Sequence, residues 1–180
     1  MYYLIKNDTL IDQSEIESDL LLISENGMFI TDSWPPIGKK FENGNWREKT
    51  IPEKTEDGEI SLENRRLILK AEILNFLSVK LEQGVQFQSF NFQAREEDLI
   101  RMSLAIKKIE LGGSWSGFWR DSINQWRELT SEQLNELALT AGNFWETCFR
   151  KSRTLIDELP SKNKTQLANY NIQAAWDAII

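Results

Sequence analysis

The spacing of apolar positions changes along the chain, and the change divides it. Up to residue 50 they fall in short runs, Tyr2–Ile5, Leu20–Ile23 and Met28–Ile30, with Phe41 and Trp46 beyond. Runs this short, bounded by polar residues, predict β-strands. Ser24-Glu25-Asn26-Gly27 separates two of them, and Asn26-Gly27 supplies the positive-φ residues of a tight hairpin. Trp34-Pro35-Pro36 interrupts regular structure, and Asn43-Gly44 marks a second hairpin between Phe41 and Trp46. From Glu48 to Glu59 only Ile51 is apolar, and Pro52, Asp57 and Gly58 give the stretch the character of a linker. The expected organisation is a β-rich module over 1–50, a linker over 51–60 and a third part over 61–180.

That third part reads as helices interrupted by two ribbons. Leu62, Leu69, Ile73, Phe76, Leu77 and Leu81 share one face of a helix that Gly84 stops. Leu67, Ile68, Leu74 and Val79 widen this face until it must be covered on several sides. Val85, Phe87, Phe90 and Phe92 then alternate with a slip near Ser89, the mark of a small β element. Leu99, Met102, Ile106 and Ile109 give a second helix, Glu96–Leu111, which stops at Gly112-Gly113. The stretch Trp115–Trp126 predicts a second ribbon, with Asp121-Ser122-Ile123-Asn124 as turn residues. Thr130 with Gln133 forms a capping box, and Leu129 and Leu134 are placed as a staple. The third helix follows with Leu134, Leu137, Ala141, Trp145 (or Phe144), Cys148, Leu155 and Leu159 on one face, and Pro160 ends it. A last helix is expected from Thr165 to Ala178. The fold class is therefore α+β: a small N-terminal β module, then a mainly helical bundle domain with two short β-ribbons. The first and third helices carry the longest apolar faces and are expected to pack together as its core.

The order of these pieces carries a resemblance over roughly residues 61–180. An Arg- and Leu-rich helix (Leu62–Leu81) leads into Gly84-Val85-Gln86-Phe87-Gln88-Ser89-Phe90-Asn91-Phe92. A helix after Ala94, then Trp119-Arg120-Asp121 with Asn124, then Leu129-Thr130 and the long helix follow, closing on Tyr170-Asn171-Ile172 and Trp176. This order resembles a domain of unknown function found in tail-fibre-associated proteins of tailed bacteriophages and prophages. Asn171 stands where such domains usually carry an acidic residue. In the first sixty residues, Phe41-Glu42-Asn43-Gly44-Asn45-Trp46 loosely resembles short phage tail proteins. The resemblance implies a non-enzymatic tail protein, acting as a tail-fibre component or as a tail-fibre assembly partner. It places the chain in the host cytoplasm during assembly, or in the virion tail.

Composition adds mainly exclusions. The chain has 180 residues, 41% hydrophobic and 27% charged, a globular balance. No apolar run approaches the roughly 20 residues that span a bilayer, and Met1-Tyr2-Tyr3-Leu4 lacks the basic start of a signal peptide. Residues 1–60 hold 6 basic and 13 acidic residues, whereas 61–180 hold 15 of each, so the net −7 sits in the N-terminal third. An acidic surface disfavours nucleic acid. With no histidine and one cysteine, a Ser-His-Asp arrangement and a structural zinc site are out of reach. Cys148 lies beside Trp145 and Phe149 and reads as a small core residue. No catalytic residue, cofactor or metal ligand is expected. Glu96-Glu97-Asp98 opens a helix, where negative charge favours the positive dipole end. Gly112-Gly113 lacks the Lys and Ser/Thr of a phosphate loop.

Two readings of the second ribbon stay open. Trp115, Phe118, Trp119 and Trp126, with Arg120, are the candidate contact residues for a tail-fibre or other phage tail protein, or for a host-surface glycan whose C–H faces stack on indoles. Alternatively the rings cover the helices beneath, and only one face of the ribbon stays exposed. Arg120-Asp121 with Asn124 reads as a salt-linked turn rather than an acid–base pair. No heptad pattern lasts long enough to require a coiled-coil trimer. The C-terminal domain is expected to fold alone, with any homo-oligomer formed through the N-terminal β part or a fibre partner.

Overall fold

The computed structural model describes residues 2–6, 9–14, 28–31, 38–42 and 45–180. The expected run Leu20–Ile23, the Asn26-Gly27 turn, the Trp34-Pro35-Pro36 break and the Asn43-Gly44 turn lie outside these residues. The fold class is α+β. Contacts divide the chain into two compact units, residues 1–65 with 164–169, and residues 66–163 with 170–180.

The first unit is built on an antiparallel sheet. Strands β1 (Tyr2–Lys6), β2 (Thr9–Ser14) and β3 (Met28–Thr31) pair in the order β2-β1-β3. The β1–β2 register slips between Leu4 and Ile5, and Leu4, on the central strand, is buried. A hairpin follows, β4 (Lys39–Glu42) with β5 (Asn45–Glu48), as the spacing of Phe41 and Trp46 predicts. The expected linker contains a helix instead, α1 (Ile51–Glu56). Thr50 and Glu53 form a full capping box, and Pro52 occupies the first turn, where its missing N–H costs nothing. Arg47 closes a bidentate pair on Glu53 at 2.7 and 2.6 Å, which holds that carboxyl far below its usual range and raises the guanidinium. Against α1 packs a short helix from much later in the chain, Lys164–Ala168. The buried Arg65 donates to the Leu167 carbonyl at 3.1 Å.

The second unit carries the ribbons. Helix α2 runs Leu62–Gln83, entering this unit at Arg66, and ends on Gly84 at φ 71°. Only glycine fits there, because a Cβ would stand 1.9 Å from the Phe92 carbonyl oxygen. Ribbon one pairs β6 (Val85–Phe87) with β7 (Phe90–Phe92), and Gln88 turns at φ 54°. Helix α3 (Glu96–Glu110) precedes ribbon two, β8 (Phe118–Arg120) with β9 (Trp126–Glu128). Helix α4 (Ser131–Glu158) starts on the Thr130/Gln133 capping box, with Leu129 and Leu134 both buried as a staple requires.

Two expectations about this unit need correction. The predicted last helix is two: α5, Lys164–Ala168, which belongs to the first unit, and α6, Ile172–Ala178. Asn171 accepts from the Ala174 N–H at 2.9 Å and so restarts the chain as an N-cap. The core pairing also differs. The close helix pair is α3 with α4, and the central cluster joins Phe92 and Ala94, Met102 of α3, Leu129, and Leu134, Leu137 and Ala141 of α4. Helix α2 buries Leu69 and Ile73 but leaves Leu67 and Leu74 60% and 44% exposed. Its breadth of apolar residues is therefore not covered on every side. Periodicity shows that a helix has an apolar face; it does not select the partner.

Candidate functional site

Ribbon two separates its aromatic residues by strand geometry. Phe118 and Trp119 are neighbours on a strand, and successive side chains point to opposite faces. Trp119 turns to the core cluster with Trp115, while Phe118 and Trp126 remain 49% and 62% exposed. The register pairs Phe118 with Glu128, Trp119 with Arg127 and Arg120 with Trp126. One face thus carries Phe118, Arg120, Trp126 and Glu128. The other carries Trp119 and Arg127.

The inner face is fixed by specific bonds. Trp115 Nε1 donates to the Leu129 carbonyl at 2.7 Å, and its ring lies 6.4 Å from that of Trp119. Arg127 lies 4.0 Å over the Phe90 ring, and Ser122 N–H donates to the Asn91 carbonyl at 2.8 Å. Both contacts brace ribbon two on ribbon one. The buried Asp121 organises the connecting turn. One carboxylate oxygen accepts from the N–H groups of Ile123 and Gln125 at 3.0 and 2.8 Å, and the other from Arg127 at 2.6 Å. Burial pushes this carboxyl up, but the Gln125 N–H, Arg127 and the Ile123 N–H outweigh it and hold it below the ordinary Asp value. Asn124 takes φ 62°, the left-handed position that a turn asparagine tolerates. The salt-linked turn expected at Arg120-Asp121 is present, but the partner of Asp121 is Arg127. Arg120 instead lies flat on Trp126, 4.6 Å from the ring centre.

Beside ribbon two opens a cleft of about 420 Å³. Trp115, Phe118, Trp119 and Trp126 line it together with Arg120, so the structure brings all five candidate contact residues to one place. Helix α3 and the segment before it add Asp98, together with Gln93, Arg95 and Arg101, which the sequence did not single out. Arg95 grips Asp98 at 2.8 Å and Gln93 at 2.9 Å. This pairing also accounts for Asp98, expected only as helix-start charge. The signal for these residues is the chain fold itself, since more than a dozen residues separate them from the ribbon.

The carboxylates that line the cleft are held by other groups. Both oxygens of Asp121 are engaged, and Asp98 is tied to an arginine. Cys148 is buried, and burial pushes its thiol up. Among the described residues no group of three or more His, Cys, Asp or Glu is placed to hold a metal ion, and no helix is long and apolar enough to cross a membrane. The outer face presents two exposed rings and Arg120, and the cleft lining adds Arg95 and Arg101.

The chain belongs to the family described as a domain of unknown function, DUF4376, whose match covers residues 65–179. No curated protein and no solved structure matches the chain.

Proposed function

We propose that this chain is a non-enzymatic bacteriophage tail protein that works by binding, with ribbon two as its contact surface. Its partner is another tail protein, and the chain serves as a tail-fibre component or as an assembly partner of the fibre. The observation that carries the binding reading is the outer ribbon face, where Phe118, Arg120 and Trp126 stand exposed on a backbone fixed from within. Exposed aromatic residues beside arginine are the composition of interface hot spots, and a braced ribbon loses little freedom on binding. The phage setting is supported by the ordered resemblance over residues 61–180. The protein acts in the host cytoplasm during assembly and, as a component, in the virion tail. Co-expression with the adjacent fibre gene, a pull-down, and mass spectrometry of purified virions test this. Recovery in the complex or the particle is expected; absence from both overturns it.

A second reading is favoured by the concavity. A cleft of about 420 Å³ lined by rings has the size and shape of a small-ligand site rather than of a flat protein patch. A host-surface glycan stacking on Phe118 and Trp126 suits it. Titration with host-surface polysaccharide fragments, followed by tryptophan fluorescence, tests this reading; an unchanged signal at millimolar sugar counts against it.

A further inference from the structure

The charges on the lining of the ribbon cleft do not cancel. Asp121 is neutralised by Arg127 at 2.6 Å, and Asp98 by Arg95 at 2.8 Å. Two guanidinium groups on the lining are then in excess. Arg101 reaches Asp98 only at 3.8 Å, at a carboxylate that Arg95 already holds through both oxygens. Arg120 lays its flat face on the Trp126 ring, and its in-plane N–H donors meet no acceptor among the described residues. This local positive excess sits within residues 61–180, which hold 15 basic and 15 acidic residues and so carry no net charge. A lining that concentrates cations within a charge-balanced region is arranged for an anionic group.

We infer that the cleft binds carboxylated saccharides, meaning oligosaccharides with sugar-acid units. The inference rests on the glycan reading of ribbon two and names its ligand class. Each part of the lining has a role in it. Guanidinium groups match a carboxylate through paired N–H donors. The exposed rings of Phe118 and Trp126 take the C–H faces of a pyranose. The Asn124 amide and Ser116 hydroxyl, both on the lining, suit sugar hydroxyls. The alternatives fit less well. Two spare guanidinium groups are too few to match the charge of a dense polyphosphate. A peptide adding as a strand would find an edge of only three residues on either side, Phe118–Arg120 or Trp126–Glu128.

The test is a fluorescence and equilibrium-dialysis titration of the full chain with three probes: a galacturonate trisaccharide, a hyaluronan tetrasaccharide and an α2,8-linked sialic acid trimer. Each is paired with its carboxyl-reduced counterpart, and a Glu-rich hexapeptide is run alongside. The expected result is binding of at least one acidic probe, weakened roughly tenfold or more by carboxyl reduction and by raised salt. Arg120→Gln and Arg101→Gln should each weaken that probe by a similar factor. Both side chains are exposed, so unchanged thermal melts will show that the variants stay folded. Equal binding of acidic and reduced forms overturns the carboxylate inference and leaves the glycan reading intact. Failure of every saccharide at millimolar concentration overturns both. Tighter binding of the hexapeptide than of any acidic sugar also overturns the inference, in favour of an acidic protein segment.

Discussion

Ribbon one and ribbon two are the same size, lie in the same unit and are both rich in aromatic residues, yet they do opposite things. In ribbon one the register pairs Val85 with Phe92 and Phe87 with Phe90, so all four apolar residues share one face and turn inward, and only Gln86 and Asn91 face out. Ribbon two places Phe118 next to Trp119, so one ring must turn outward whatever the other does. The difference is a property of the pattern and not of composition. An aromatic residue on a strand is core when its parity agrees with its neighbours, and a contact candidate when it disagrees.

The widest separation between the ribbons should appear in stability. Phe92→Ala opens the core where α3, α4 and ribbon one meet, and should cost about 3–5 kcal/mol in denaturant unfolding. If Phe92→Ala melts like the parent, the inward assignment of ribbon one is wrong. Leu137→Ala, beside it in the same cluster, should cost roughly 2–5 kcal/mol. Trp145→Ala should cost less than Leu137→Ala, because Trp145 is only half-buried and stacks on the exposed Phe149, 5.1 Å away.

Next in size is the turn that holds ribbon two open. The Asp121 carboxyl lies below its ordinary value of 3.8 when folded. The unfolded chain therefore binds more protons through that range, and stability rises with pH there. The contribution is complete above the ordinary value and is lost as pH falls through the lower folded value. Asp121→Asn should lower the melting temperature at neutral pH, and the gap to the parent should shrink in strong acid. A gap that stays constant down to acid pH would contradict the ionised-turn assignment.

Much of this contrast was legible in the sequence, and the misses have physical causes. The Thr130/Gln133 box, the Gly84 stop and both ribbons follow from local chemistry, which a sequence states directly. The Thr50/Glu53 box was equally local, but Pro52, Asp57 and Gly58 around it read as linker and masked a short helix. The break at Asn169–Asn171 was hidden because the apolar residues continue on either side of it. The α3–α4 pairing and the arrival of Arg95 and Arg101 beside ribbon two depend on how the elements pack. No spacing encodes that. Arg127, rather than Arg120, as the partner of Asp121 follows from ribbon register, once the strands are known to pair.

The smallest expected stability effect is also the most telling. Phe118→Ser with Trp126→Ser removes both outer rings, and since neither supports the core the melt should shift by no more than about 0.5 kcal/mol per site. The central claim is that this face exists to bind, and the direct measurement is a pull-down of that double variant against the co-expressed fibre protein. The account predicts a folded protein with its parent's melting curve and a lost or sharply weakened complex. A complex retained at parental strength would contradict it.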